Sequence, residues 1–177
     1  IQKMTSHLLF ASPLRRRQED MIQKNTKGQP ALWAYGISGD LPIVLVILYD
    51  EHEIDIVHKM LKAHEYWRMK GLEIDLVILN EDEGSYMQPL QGLIRDMVSV
   101  SHARELQDRP GGVFIRSGKN MPEEDRILFF TAARIIIRGD SSLKNQIRYK
   151  VAEQELPAIK QWPEKEKAYK HPWSEHG

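Results

Sequence analysis

Trp33, Tyr35, Ser38 and Asp40 fall in one short stretch, Leu32-Trp33-Ala34-Tyr35-Gly36-Ile37-Ser38-Gly39-Asp40. Their side chains hold the groups that two kinds of chemistry need. An exposed aromatic ring beside a carboxylate that accepts hydroxyl hydrogen bonds makes a minimal sugar subsite, and Trp33, Tyr35 and Asp40 are its candidates. Ser38 invites comparison with the nucleophile elbow of hydrolases, G-x-S-x-G. That motif needs glycine two residues after the serine, where this chain has Asp40, and it follows a strand whereas this turn precedes one. Trp33 and Tyr35 are expected on a loop, and the plainer reading of Gly36 to Asp40 is a turn whose glycines take positive φ and whose aspartate accepts backbone hydrogen bonds. Tyr66 and Trp67 also offer rings for stacking, but their place on an amphipathic helix makes them core residues first.

Other candidates for chemistry lie where strands end. Asp50 follows one apolar run, and Glu81 and Asp82 follow another. Carboxylates so placed suit a hard cation such as Mg²⁺. Acids at helix N-termini also stabilise helices without any metal, and that is the reading adopted here. The same acids would repel a phosphate, and no glycine-rich strand-to-helix loop or Walker lysine is present. His58 and His64 are on one predicted helix but do not share a face, which argues against a zinc pair. With 25 acidic residues some carboxylate pair can always be chosen for glycosidic chemistry, and nothing isolates one. Arg15-Arg16-Arg17 reads as a solvated helix face. No catalytic residue, metal site or cofactor is assigned.

These residues must be positioned by elements that the hydrophobic pattern lays out. Ile1, Met4, Leu8 and Leu9 have helical spacing, and Ser12-Pro13 offers a cap for a second short helix ending near Gln23. Ile43 to Leu48 is a β-branched apolar run that suits a strand buried on both faces. Asp50 and Glu53 resemble a capping box before a helix that presents Ile54, Val57, Met60, Leu61, His64 and Trp67, stopped at Gly71. Leu76 to Leu79 is a second buried strand. A second helix is predicted from Ser85, or from Met87 given Pro89, to about Glu105, with Leu90, Leu93, Ile94, Met97 and Val100 as its stripe. Val113 to Ile115 is a third strand. Met121 to Asp125 opens a third helix, Ile135 to Ile137 is a fourth strand, and Ser141 or Ser142 caps a last helix reaching about Tyr149. Strands alternating with helices predict a three-layer, Rossmann-like α/β domain with about four parallel strands. The expected organisation is a helical connector over 1–30, the α/β domain over 31–150, and a polar, proline-containing tail over 151–177.

The 177 residues carry 25 basic and 25 acidic side chains, so no general attraction to nucleic acid or to an anionic membrane follows. Without cysteine there is neither a disulfide nor a thiolate metal site. No apolar run reaches the roughly 18 to 20 residues of a membrane helix. The chain opens on Ile1 inside a helical pattern and closes on a polar tail, which reads as a piece of a longer protein.

As a string of residues the chain resembles one segment of the cyclic β-1,2-glucan synthases. The resemblance rests on Leu32 to Val46, on Leu61-Lys62-Ala63-His64-Glu65-Tyr66-Trp67-Arg68-Met69-Lys70-Gly71 with the strand that follows to Glu81, on Ser85 to Gln91, on Gly112 to Arg116 and on Glu123 to Leu128. It covers about Leu8 to Leu143. In such proteins the segment lies in a C-terminal region like the cellobiose and chitobiose phosphorylases. A β-sandwich precedes it and the catalytic helical barrel follows. The resemblance implies a bacterial parent at the inner membrane that polymerises glucose from UDP-glucose and controls glucan length, with this part in the cytoplasm. It transfers no catalytic residue, because none of the barrel's motifs is here, and related enzymes degrade linear glucan by phosphorolysis. The expected role is a non-catalytic structural or carbohydrate-contacting domain, whose partners are the flanking sandwich and barrel and, through Trp33, Tyr35 and Asp40, β-1,2-glucan. The alternatives are an independent nucleotide- or small-molecule-binding module, and a hydrolase using Ser38 or a carboxylate pair.

Overall fold

The computed structural model describes residues 1–9, 19–82 and 88–147. Four parallel strands, β1 (Ile43–Leu48), β2 (Asp75–Asn80), β3 (Val113–Ser117) and β4 (Ala133–Arg138), form one sheet in the order β3-β2-β1-β4. Every residue of β1 and β2 is buried. The continuous apolar runs of these strands follow from that double coverage, since each face of a central strand meets helices.

Among the described residues six α-helices accompany the sheet: α1 (Gln2–Leu9), α2 (Glu19–Lys24), α3 (Asp55–Met69), α4 (Pro89–Ser99), α5 (Glu123–Ala132) and α6 (Leu143–Ile147). Val44, Val46 and Leu48 of β1 face a layer that includes Met4 and Leu8 of α1, Trp67 of α3 and Ile94 of α4. Ile43, Leu45 and Ile47 face the opposite layer, with Leu32, Leu128 and Phe129. The architecture is a three-layer α/β sandwich, as the alternation of elements predicts. The crossovers through α3 and α4 add strands in one direction, and the crossover through α5 returns past them to β4. A return in the opposite direction keeps the right-handed sense only if its helix crosses the other face, and α5 does.

Local chemistry sets the boundaries. Asp50 accepts from the His52 N–H at 2.8 Å, and Glu53 Oε2 accepts from the Tyr49 N–H at 2.8 Å. These bonds shape a 3-10 turn, Glu51–Glu53, that leads into α3. α3 buries Val57, Met60, Leu61, His64 and Trp67, and the Leu72 N–H closes it on the Trp67 carbonyl. α1 is tied to this helix by Trp67 Nε1 donating to Thr5 Oγ1 at 3.0 Å. At β4 the register shifts where Ile43 pairs with Ala133 and Val44 with Ile135. The residue skipped, Arg134, donates to the Leu8 carbonyl at 3.2 Å, so the bulge aims it at the end of α1.

Three expectations are corrected. The Trp33/Tyr35 stretch is a 3-10 helix, Gln29–Tyr35, rather than a loop, with Pro30 in its first turn. α4 ends at Ser99, well short of Glu105. The Ser101 N–H and hydroxyl both donate to the Val98 carbonyl, which in a continuing helix would accept from the His102 N–H. The buried stripe of α4 is Leu90, Gln91, Ile94 and Val98, while Leu93 and Val100 are exposed, because its apolar arc is wider than the surface it covers. The Ser12-Pro13 cap, Arg15 to Arg17, the start expected at Ser85 to Met87, the last helix beyond Ile147 and the 151–177 tail lie outside the described residues.

Candidate functional site

The 3-10 helix Gln29–Tyr35 and the turn after it form one rigid unit on the α5 face of the sheet. Leu32 and Ile37 anchor the unit in the core. Gly36 (φ 72°) and Gly39 (φ 76°) occupy left-handed backbone that glycine adopts without strain. A Cβ at Gly39 would also stand 2.7 Å from Gln29 Cγ, so the turn packs directly on the helix start.

Trp33 and Asp40 are brought together by shared partners. Trp33 Nε1 donates to the Ser38 carbonyl at 3.2 Å, and Gln29 Nε2 donates both to that carbonyl at 2.9 Å and to Asp40 Oδ1 at 2.8 Å. The indole is 64% exposed even though its N–H is satisfied. Its ring is therefore fixed in orientation while its face meets solvent. The Asp40 N–H is bonded to Ser38 Oγ at 3.2 Å. That bond commits the serine hydroxyl to shaping the turn, and no histidine or carboxylate base contacts it among the described residues.

Tyr35 turns the other way. Its hydroxyl donates to Asp125 Oδ2 at 2.7 Å, and its ring meets Phe129 edge-on at 5.0 Å. Burial and that hydrogen bond push the phenol up to about 12. Asp125 also accepts from Lys27 Nζ at 2.6 Å, and the two donors hold its carboxyl below the usual carboxylate range. Arg116, on β3, donates from Nε to the Tyr35 carbonyl at 2.9 Å and also from Nη2. A cation there satisfies the open carbonyl end of the helix. Sequence reasoning misses Gln29, Lys27, Arg116 and Asp125, because the last two lie 81 and 90 residues from Tyr35. The 3-10 helix is thus braced from β3 and α5 at its C-terminal end, and Trp33 and Asp40 are presented from its outer side.

The strand-end acids do different things. Asp50 caps a turn, and Glu81, buried at 9% exposure, is paired with Arg126 of α5 at 3.0 Å. Asp82 donates its N–H to Asn80 Oδ1 at 2.9 Å. Among the described residues no group of three or more histidines or acids is arranged to hold a metal ion. Trp67 is fully buried, and Tyr66 is half-buried with Lys70 over its ring at 5.7 Å. Among the described residues no helix is long and apolar enough to cross a membrane.

The chain is similar to a glucan synthase. The relative is the cyclic beta-(1,2)-glucan synthase NdvB of Rhizobium meliloti (strain 1021), 33% identical over 109 residues. The match takes in 62% of this chain and 4% of the relative, so the chain spans a small fraction of that synthase's length. No protein-family model matches the chain.

Proposed function

We propose that the chain is a non-catalytic α/β domain within a cyclic β-1,2-glucan synthase-like protein, where it contacts the glucan through Trp33 and Asp40. The similarity to the Rhizobium synthase supports placing the chain in such a protein. The exposed, orientation-fixed indole beside a carboxylate supports the second. A sugar ring laid on the Trp33 face would place its hydroxyls near Asp40, which retains accepting capacity beyond the bond from Gln29. Tyr35 serves this site from behind: its hydroxyl is spent on Asp125, and it holds the 3-10 helix in place. In this reading the domain joins a β-sandwich to a helical barrel in a bacterial, membrane-associated parent, on the cytoplasmic side, and the reacting groups are elsewhere in that parent.

The test is Trp33→Ala and Asp40→Ala in the full-length parent, with glucan length and turnover as readouts. The expected outcome is an altered product-length distribution with the protein still folded. Unchanged products from both variants would make the turn structural only.

A further inference from the structure

On the sheet face opposite Trp33, α1, α3 and α6 enclose a groove of about 1100 Å³. One end is walled by the turn that leaves β4, Gly139 to Ser142, and by His52 and Glu53 beyond β1. β1 is where the strand order reverses, with β2 and β3 on one side and β4 on the other. In parallel sheets the space outside the strands' carboxyl ends at such a point is where ligands lodge.

The floor of the groove is apolar, made by Met4, Ile56, Leu143 and Ile147. Its rim carries the polar ends of Gln2, Tyr66, Asp140, Ser141, Ser142 and Lys144. Among the described residues these side chains spend none of their donors or acceptors on one another or on the rest of the fold. Charge selects the ligand. Lys59 is paired with Asp55 at 2.5 Å, while Glu53 accepts the Tyr49 N–H through Oε2 and has no cationic partner among the described residues. The side-chain carboxylates and ammoniums of the groove left without an ion-pair partner among the described residues are two carboxylates, Glu53 and Asp140, and one ammonium, Lys144. A phosphorylated ligand would meet Glu53, Asp55 and Asp140 against two lysines, an unfavourable balance for an anion. A neutral polyhydroxylated ligand fits better, since hydroxyls both donate and accept while the C–H faces of its rings cover the apolar floor.

We infer that the α1/α3/α6 groove binds a neutral saccharide. This site is separate from the Trp33 turn, and only the choice of one probe rests on the proposed function. The test is NMR titration of the full 177-residue chain with β-1,2-linked gluco-oligosaccharides, with β-1,4-linked cello-oligosaccharides and with UDP-glucose. The expected result is a set of shifts at Gly139 to Lys144 and at Tyr66 with at least one neutral sugar. Asp140→Ala and Tyr66→Phe, both remote from the core contacts of the turn, should each raise the Kd about three- to tenfold while their spectra stay folded. Silence of the groove with both sugars, a response to UDP-glucose alone, or an unchanged Kd in both variants overturns the inference. Cello-oligosaccharide binding in the groove with no response to β-1,2-glucan anywhere supports the groove and counts against the proposed function. Shifts from β-1,2-glucan confined to Trp33 to Asp40 do the reverse.

Discussion

Asp125 braces the segment that carries the candidate site without touching Trp33 or Asp40. It accepts from Lys27, 98 residues earlier, and from Tyr35, 90 residues earlier. Both bonds are charge-assisted, and together they fasten the segment before β1 to α5. Tyr35→Phe keeps the ring against Phe129 and deletes only the hydroxyl. A hydrogen bond to a charged group contributes roughly 1.5 to 3 kcal/mol when buried, and half-exposure reduces that. Tyr35→Phe is therefore expected to lower stability by about 1 kcal/mol, read as a lower urea midpoint with an unchanged slope. It should leave the Trp33 indole environment nearly as it was, because Trp33 is held by Ser38 and Gln29. A stability equal to that of the unaltered chain would mean that the Lys27 bond alone secures Asp125.

At the scale of elements, legibility follows from how local the deciding forces are. β1 and β2 are readable because all their side chains are buried, so the sequence carries an unbroken apolar run. α3 is readable because one broad apolar face coincides with its buried face. The 3-10 helix of Trp33 is not, since what stabilises it comes from Arg116 and Asp125, far along the chain. Of the candidate site, the residue types and the glycine turn could be read in advance; the shared bonds through Gln29 and the inward turn of Tyr35 could not. The end of α4 is obscured because Val100 continues an apolar spacing yet is 86% exposed. Two glycines beyond the site separate packing from propensity. A Cβ at Gly112, just before β3, would lie 1.9 Å from the Leu106 carbonyl oxygen, which is backbone and cannot rotate aside. Gly112→Ala is expected to cost about 2 to 3 kcal/mol by forcing the turn open. A Cβ at Gly92, within α4, meets nothing within 4 Å. Gly92→Ala is expected to add up to about 1 kcal/mol through helix propensity. Chemical unfolding of the two variants beside the parent chain checks both signs. Equal effects from the two substitutions would refute the packing argument at Gly112.

For the molecule as a whole, His64 joins three parts of the fold and sets how stability responds to acid. It is fully buried on α3; its Nε2 bonds the Ile74 and Gly111 carbonyls, each at 3.1 Å. Nε2 must carry the proton to serve those acceptors, so Nδ1 is left to accept from His102 Nε2 at 3.2 Å. Burial, with His102 and Arg68 nearby, pushes His64 down from 6.5 to about 4. The unfolded chain therefore binds a proton near pH 6.5 that the folded chain resists until about pH 4. Stability from this group is complete above about pH 6.5 and falls by about 3 kcal/mol as pH drops to about 4. His102, also lowered by burial, acts in the same direction despite Glu65 beside it. Asp75 opposes them. Its carboxyl is fully buried with Oδ1 on the Gly111 N–H at 2.8 Å, and burial raises its pKa, as does Asp40 to a smaller degree. A raised carboxyl contributes stability that is lost as pH climbs from 3.8 through its folded value, so acidification relieves it. Urea midpoints measured between pH 7.5 and about pH 4 should fall, and should fall more steeply in Asp75→Asn, which keeps an acceptor for Gly111 but cannot titrate. His64→Leu should flatten the acid slope while costing about 1 to 3 kcal/mol at neutral pH, because the Ile74 and Gly111 carbonyls lose their donor. If His64→Leu keeps the slope of the parent chain, the acid response belongs to other groups and this account of His64 fails.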